Sequence, residues 1–519
     1  MDSITQQPDR QPVLVGCGQI HQANPDPHIG ANPMDLTAQA ARLAASDAGA
    51  GPALLQALDT LVVIRSFGDT SWRFACPFGS FANPPKSVAN RIGADNLRQL
   101  IYTEAGGNMP QWSVNELARQ IASGKVEAAM IAGGESLATQ KAAQRLGRTL
   151  DWNEDPGSTP QSWGISRRGW SDLEDRHGMR GAIYAYPLFE NAIRGHRNLS
   201  LDAHQQAMAR LLAGFAQVAA NNPLADRRAG YDAATIATVS DTNPMIGFPY
   251  TRLMNANAFI DQSAAVILTS VGKAKALGIN PEQFVYLHGC ADAHDHWYIT
   301  DRRDFYSSPA MAHVFRETFA MAGKTIHDMD AIDIYSCFPS AVEVACDTLG
   351  LSEDDPRGLT ITGGLPYFGG PGNNYVTHSI AQMMLNLRAK RGTFGLVTAN
   401  GNYLTKHSAG IYSTEPVDHQ NLQQNAVKTQ QVQQALDATA HPVVTELASG
   451  PATVETWTVI NDRQGPQFAI VIGRLTDNSR FIANTPSDPA LLQQMQQSDY
   501  LGCPGQVSND GKTNLFKPS

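Results

Sequence analysis

Apolar positions in this chain fall into two alternating patterns. Residues 13–18 form a short continuous apolar run, the pattern of a buried strand. Residues 34–48 then space Leu36, Ala40, Leu43 and Ala44 as on one helical face, and residues 60–64 form a second apolar strand. A helix near 87–92, a strand near 99–102, a helix over 110–122 and a strand over 128–131, closed by Gly133 and Gly134, continue the alternation. Such an order predicts a mostly parallel sheet covered by helices. From about Thr149 to Tyr250 the texture becomes mixed polar, aromatic and charged, with one long amphipathic helix over 201–220, and reads as an inserted loop domain. Alternation resumes with strands over 264–269 and 284–288, a helix over 309–322, a strand over 331–335 and a helix over 341–349. A glycine-rich turn at 363–372, a helix over 376–387 and a strand over 394–398 follow. The second half repeats the grammar of the first.

The predicted divisions are an N-terminal half at 1–148, the loop domain at 149–250, the remainder of the core at 251–415, a linker at 416–441 and a C-terminal module at 442–519. The linker is Gln-rich with few large apolar residues, so it reads as a connector or a solvated helix. In the last module, β-branched and aromatic runs at 453–460 and 468–472 flank hairpin-turn chemistry at 462–466. A small antiparallel barrel of the oligonucleotide/oligosaccharide-binding (OB-like) type is expected there.

With 519 residues, 42% apolar and 17% charged, the chain can bury a large core and is not a coiled coil, a collagen or a disordered tail. Its net charge of −9 favours neither nucleic acid nor an anionic membrane surface. The expected ligand is small, and an anionic one must be held locally by a few basic side chains and helix N-termini. The six cysteines, at positions 17, 76, 290, 337, 346 and 503, show no C-x-x-C spacing, which suits a reducing compartment. No stretch approaches the roughly 18 apolar residues of a spanning helix, and the opening residues do not read as a signal peptide, so a cytoplasmic protein is expected.

Several ordered motifs are more specific. SGKVEAAMIAGGES at 123–136, YPLFENA at 186–192, the segment 205–223 that ends in ANNP, and DQSAAVILTS at 261–270 resemble the thiolase superfamily, in particular its sterol-carrier-protein type. IYSCFPSA at 334–341, GGLPYFGGPGNN at 363–374 and ANGNYLTKH at 399–407 stand in order where that family keeps its catalytic loops. The module after 442, with ATVETWTVI and FAIVIGRL, resembles the added C-terminal domain of thiolase-like proteins of type 1. The resemblance implies a five-layered α/β/α/β/α fold of two similar halves with a loop domain between them. It also implies coenzyme A or an acyl-CoA as substrate or ligand, no prosthetic group and no metal.

Thiolase chemistry needs a thiolate to carry the acyl group, an acid/base and oxyanion holes. The resemblance places the nucleophilic turn at Gly106-Gly107-Asn108-Met109, where no cysteine stands. The G-H-P motif corresponds to Gly369-Gly370-Pro371, so its His is Gly370. The late C-x-G loop corresponds to Ala399-Asn400-Gly401-Asn402 in either of two registers, neither with a thiol, and the H-D-x-F motif to Tyr335-Ser336-Cys337-Phe338. Gly107, Asn108, Tyr335, Gly370, Asn373, Asn400, Gly401 and Tyr403 are therefore the expected pocket residues.

Three side chains remain as catalytic candidates: Cys337, which precedes a helix N-terminus able to lower a thiol pKa, and His378 and His407 as bases. Each also has a plain structural reading, as a buried small residue or a hydrogen-bonded histidine. Lys406 beside His407 reads as a solvated charge or an anion contact. The pairs His288 with Cys290 and His294 with His296 have metal-ligand spacing, but the resemblance assigns that stretch to a strand and loop without a metal. Arg252, Asn255 and Asn257 are the expected coenzyme A contacts. The expected function is an acyl-CoA-directed acyltransferase with non-standard catalysis. Its rivals are a non-catalytic CoA-ester-binding protein and an interaction subunit of a thiolase complex, as homodimer or monomer.

Overall fold

Asn32 opens the first long helix, Pro33–Asp47, with a reciprocal capping box to Asp35, and Pro33 sits in its first turn where a missing N–H costs nothing. This is one of the outer helices in a computed structural model that describes residues 8–28, 30–70, 72–417 and 421–519. In chain order the first strands are β1 (Pro12–His21), β2 (Thr60–Val63), β3 (Gln99–Thr103), β4 (Ala128–Ser136), β5 (Gln161–Trp163), β6 (Met245–Gly247), β7 (Tyr250–Thr251) and β8 (Asp261–Ser270). They are followed by β9 (Tyr286–His294), β10 (Ala331–Asp333), β11 (Phe394–Gly401) and β12 (Lys406–Ser413).

Two sheets form the core. One has the order β1-β8-β4-β2-β3-β5 and the other β10-β11-β12-β9. Strands β2 to β5 run parallel, as the alternation predicted, while β8 runs antiparallel to both β1 and β4. Between the sheets lie the helices Met109–Ala122 and Tyr375–Ala389, which touch strands of both. A helix covered on all sides must be apolar or internally paired. Met109–Ala122 uses both solutions: Val114, Leu117 and Ile121 pack, while Gln111 bonds to Asn115 (2.8 Å) and Asn115 to Asp292 (2.9 Å). Pro33–Asp47 covers the outer face of the first sheet and Pro309–Ala322 that of the second, which completes five layers.

Three expectations need correction. Gly133 and Gly134 do not close a strand but lie inside β4, where a Cβ would come 2.8 Å from Asn374 and 2.7 Å from Ser263. Glycine is there for close approach rather than for a turn. The loop region holds a second long helix, Ala182–His196, that carries the YPLFENA motif and tolerates Pro187 within it. Strand β12, which the polar-looking run 406–413 concealed, is fully buried. The Gln-rich connector contains the helix Asn421–Asp437.

The C-terminal strands are β13 (Gly450–Asp462), β14 (Gly465–Leu475), β15 (Arg480–Asn484), β16 (Pro504–Asn509) and β17 (Asn514–Pro518). They close as β13-β14-β15-β17-β16-β13 into a five-stranded barrel. One pairing, β15 with β17, is parallel, because the helix Pro489–Gln494 and β16 intervene between them. The barrel is joined to the loop region: β6 pairs with β13 through Gly247 and Ile460. Asn191 donates to the Trp457 carbonyl (2.8 Å) and Thr456 to the Leu188 carbonyl (2.6 Å), so the barrel braces the helix Ala182–His196.

Candidate functional site

The N-terminus of the central helix Met109–Ala122 is approached by two loops of the second half. A Cβ on Gly107 would lie 2.2 Å from Tyr335 Oη and 2.6 Å from the Asn400 carbonyl oxygen. One on Gly401 would lie 2.7 Å from Asn108 Oδ1 and 3.0 Å from Gly106 Cα. Backbone meets backbone here, and only glycine allows it. Gly106 itself has φ +150°, and its N–H donates to Asn373 Oδ1 (2.9 Å).

Around this contact the polar side chains converge. Asn400 Nδ2 and the Leu404 N–H both donate to Tyr186 Oη, at 3.0 and 3.1 Å. Tyr186 stacks on Phe338 with ring centres 4.4 Å apart. Residues 402–404 reach it through three successive left-handed residues, Asn402, Tyr403 and Leu404, with φ of 57°, 58° and 62°. A non-glycine residue there costs roughly 1–2 kcal/mol, so this turn is strained at the site. Asn108 Oδ1 and Asn400 Oδ1 are buried without hydrogen-bond partners. Lys406 Nζ donates to the Ala105 carbonyl, and burial holds its amine down to about 8.

Of the expected residues, the fold brings together Gly107, Asn108, Tyr335, Cys337, Asn373, Asn400 and Gly401. Cys337 does precede the helix Pro339–Leu349, yet burial outweighs the helix terminus and pushes its thiol up to about 12. Gly370 stands to one side: its N–H donates to the Asn257 carbonyl (2.9 Å), and a Cβ there would face Leu365 and Ala256. Tyr403 packs against Trp170. Tyr186 and Lys406 complete the cluster. Tyr186 belongs to the 186–192 motif, which carries the resemblance and no expected role, and Lys406, expected as a solvated charge or an anion contact, stands on the buried strand β12.

The two histidines are elsewhere. His378 bonds through Nδ1 to Gln19 of β1 (2.9 Å) and meets Phe368 edge-on, and burial holds it down to about 3. His407 Nε2 contacts Ser308 Oγ and the Leu404 carbonyl, each at 3.1 Å, and lies 3.5 Å from Asp295 Oδ2. Serine, histidine and carboxylate are thus adjacent, but Ser308 donates directly to Asp295 and one imidazole nitrogen faces both. A relay needs the carboxylate on the other nitrogen. The group caps the helix Pro309–Ala322 instead, with Asp295 Oδ1 accepting the Ala310 N–H (3.1 Å). The ring nitrogens of the 288–296 stretch are also engaged: His288 with the Glu415 carbonyl, His294 with the Asp295 carbonyl and His296 with Thr439.

At the surface, Lys141 Nζ sits 3.8 Å above the ring centre of the exposed Phe259. Its amine is held below the ordinary lysine value by burial and by the like charges of Arg145, Arg252, Arg463 and Arg73. Phe259 continues into Phe74 and Phe67, with centroid spacings of 5.9 and 4.9 Å. The segment carrying these rings reaches the interior cluster, because Asn373 Nδ2 donates to the Arg65 carbonyl (2.8 Å) and Thr70 Oγ1 (3.3 Å). Of the other expected ligand contacts, Asn255 donates to the Thr251 carbonyl (2.7 Å) and Asn257 to Asp226 (2.7 Å).

A family model described as the thiolase-like protein type 1 additional C-terminal domain matches residues 431–512. The crystal structure of a monomeric SCP2-thiolase-like protein type 1 from Mycobacterium smegmatis superposes with a TM-score of 0.84 at 36% identity, over 98% of this chain and 99% of that one. The chain belongs to the SCP2-thiolase-like proteins of type 1. Membership accounts for both the five-layered core and the added barrel. Among curated proteins, this type 1 chain is 29% identical over 195 residues to a 3-ketoacyl-CoA thiolase of Salmonella heidelberg (strain SL476). It is 29% identical over 147 residues to an acetyl-CoA acetyltransferase of Methanothermobacter thermautotrophicus. Those matches cover 34% and 28% of this chain and 43% and 36% of the relatives, less than half the length of either. An acetyl-CoA acetyltransferase structure from Syntrophomonas wolfei, with a TM-score of 0.56 and 16% identity over 78% of this chain and 99% of its own, shares the fold. Among the described residues of this family member, no helix is long and apolar enough to cross a membrane.

Proposed function

We propose that this chain binds a coenzyme A ester in its thiolase-type cleft without passing the acyl group through a protein thiolate. The contact between Gly107 and Tyr335 carries the reading. A phenol hydroxyl stands 2.2 Å from where a nucleophile's side chain would begin. The nearby thiol, Cys337, is pushed up to about 12, which leaves about one thiolate in 10⁵ at neutral pH. His378 is bonded to Gln19, and His407 to Ser308 and the Leu404 carbonyl.

The ligand class is supported by the surface patch. Lys141 over the exposed ring of Phe259, with the like charges of Arg145, Arg252, Arg463 and Arg73 acting on it, suits a purine with several phosphates, through stacking and charge-assisted hydrogen bonds. Such a patch is local on a chain whose net charge is −9. Arg252, read from the sequence as a ligand contact, belongs to it. Asn373, bonded to the Arg65 carbonyl and the Gly106 N–H, ties the segment that carries Phe67 and Phe74 to the interior cluster. We read the barrel, from its strand order and the helix between its third and fourth strands, as OB-like and as a brace for Tyr186. A monomer is the assembly we expect, as for the relative from Mycobacterium smegmatis.

Lys406 favours a second reading. An amine held near 8 is partly neutral at mildly alkaline pH and can act as a general base. In that case the site performs proton transfer on a bound ester without an acyl-enzyme. The test is to incubate the full chain with acetyl-, branched and β-keto acyl-CoAs, measuring binding by calorimetry and products and protein mass by mass spectrometry. Binding without product or adduct is the expected result. Product without adduct, lost in Lys406→Met, supports the second reading, and an acyl adduct on Cys337 overturns both.

A further inference from the structure

Away from the cluster just described, three helices bring two carboxylates and an imidazole together in the interior. Glu190 comes from Ala182–His196, His204 from Leu201–Asn221 and Glu343 from Pro339–Leu349. Their relative exposures are 0%, 1% and 0%. One donor atom from each lies within 4.8 Å of the other two. His204 Nε2 contacts Glu190 Oε1 and is 3.9 Å from Glu343 Oε2.

The independent observation is Glu343, whose two oxygens are both buried without a hydrogen-bond donor. A buried carboxylate needs a donor, a cation or a proton. Its nearest cation, Arg197, stands 3.8 Å away and is already engaged outward by Glu353 (2.6 Å) and Asp347 (3.1 Å). Glu190 is better supplied, accepting Tyr250 Oη at 2.5 Å, with Ser340 Oγ 2.7 Å behind it. Two carboxylates carry two negative charges here, and the nearby guanidinium of Arg197 is shared with Glu353 and Asp347.

We propose that Glu190, His204 and Glu343 bind one divalent first-row transition-metal cation, of the Zn²⁺, Mn²⁺ or Co²⁺ class. Two metal–ligand bonds of about 2.2 Å span about 4.4 Å, so small side-chain rotations bring all three donors onto one ion. Carboxylates and a histidine from separate helices are a donor set that such ions accept in helical interiors. The ion would tie the helix that carries Tyr186 to the helix after Cys337, a structural role independent of the CoA-ester reading. The competing account is a carboxyl–carboxylate pair sharing one proton between Glu190 and Glu343.

The test uses the full chain expressed with added Zn²⁺, Mn²⁺ or Co²⁺, passed through chelator-treated buffer and assayed by elemental mass spectrometry. About one ion per chain is expected, falling tenfold or more in Glu343→Gln and His204→Gln. Should those variants fail to fold, the visible absorption of the Co²⁺-loaded wild type reports imidazole and carboxylate ligation directly. Less than about a tenth of an ion per chain, both as isolated and after refolding with each metal, overturns the proposal in favour of the shared proton. Equal retention by folded variants and wild type overturns it as well.

Discussion

Tyr335 and Gly107 occupy one volume between them: the phenol oxygen lies 2.2 Å, and the ring carbon that bears it 2.7 Å, from the position of a Cβ on residue 107. The two residues come from opposite halves of the chain, at the end of β10 and the start of the central helix. A tyrosine at 335 therefore requires a glycine at 107. A cysteine introduced at 107 meets the tyrosine before it meets a substrate.

Gly107→Ala is accordingly expected to destabilise the fold by about 2–3 kcal/mol through overpacking. Tyr335→Ala should relieve part of that cost, so the double variant falls short of the sum of the two single effects. Denaturant midpoints of the four proteins measure the coupling. Strict additivity would mean that the two side chains do not compete for space.

The thiol of Cys337 should be unreactive. With its pKa pushed up to about 12 and the residue buried, alkylation by iodoacetamide at pH 8 should be at least about a hundredfold slower than in the denatured chain. Peptide mapping of the native protein checks this, and rapid labelling at Cys337 contradicts it. Cys337→Ala should leave CoA-ester affinity unchanged.

Lys406 makes stability rise with alkali over a defined window. Its folded pKa of about 8 lies below the unfolded lysine value, so between the two the unfolded chain binds more protons and raising the pH favours the fold. The gain approaches about 3 kcal/mol by pH 10.5. It should appear as a widening difference between wild type and Lys406→Met, followed by urea unfolding from pH 8 upward. A constant difference refutes the burial of a charged amine.

His378 produces the same sign at lower pH. Held down to about 3, it leaves the unfolded state with the extra proton between that value and the free imidazole range, so stability falls as pH drops. The loss from this residue is about 2 kcal/mol by pH 5. His378→Gln should lack that component, visible as a flatter stability profile between pH 7 and pH 5.

Charge reversal tests the ligand patch. Lys141→Glu and Arg252→Glu should each weaken CoA binding tenfold or more at low salt, with a smaller effect at high ionic strength as the charges are screened. Phe259→Ala should weaken it at every salt concentration, because stacking is not screened. Calorimetric titration at two salt concentrations separates these outcomes. Affinity untouched by all three variants places the nucleotide elsewhere.

The alternation of apolar runs determined most of the architecture in advance. The strands at 60, 99, 128 and 264 and the helices at 33, 109, 309 and 375 occur within a few residues of where periodicity puts them. Their length and spacing leave few other ways to bury so many apolar faces. The barrel was legible from β-branched runs and hairpin chemistry that mark β13 and β14, two of its five strands, but not the parallel pairing of β15 with β17. The stretches that the resemblance assigns to the thiolase cysteines, 106–109 and 399–402, were legible as well: neither contains a cysteine.

What only the tertiary structure decided is which polar side chains meet. His378 follows the 363–374 motif and His407 ends the 399–407 one, yet the first bonds to Gln19 of β1 and the second contacts Ser308, the cap of a helix. That Lys406 is neither solvated nor at the surface follows from the burial of β12, which the run 406–413 does not reveal. Glu190, His204 and Glu343 carry no shared motif and converge only when three helices pack. Local periodicity reports which face of an element is buried, because burial is set by neighbours a few residues away. The partner across that buried face is set by contacts between elements hundreds of residues apart, and no local pattern encodes it.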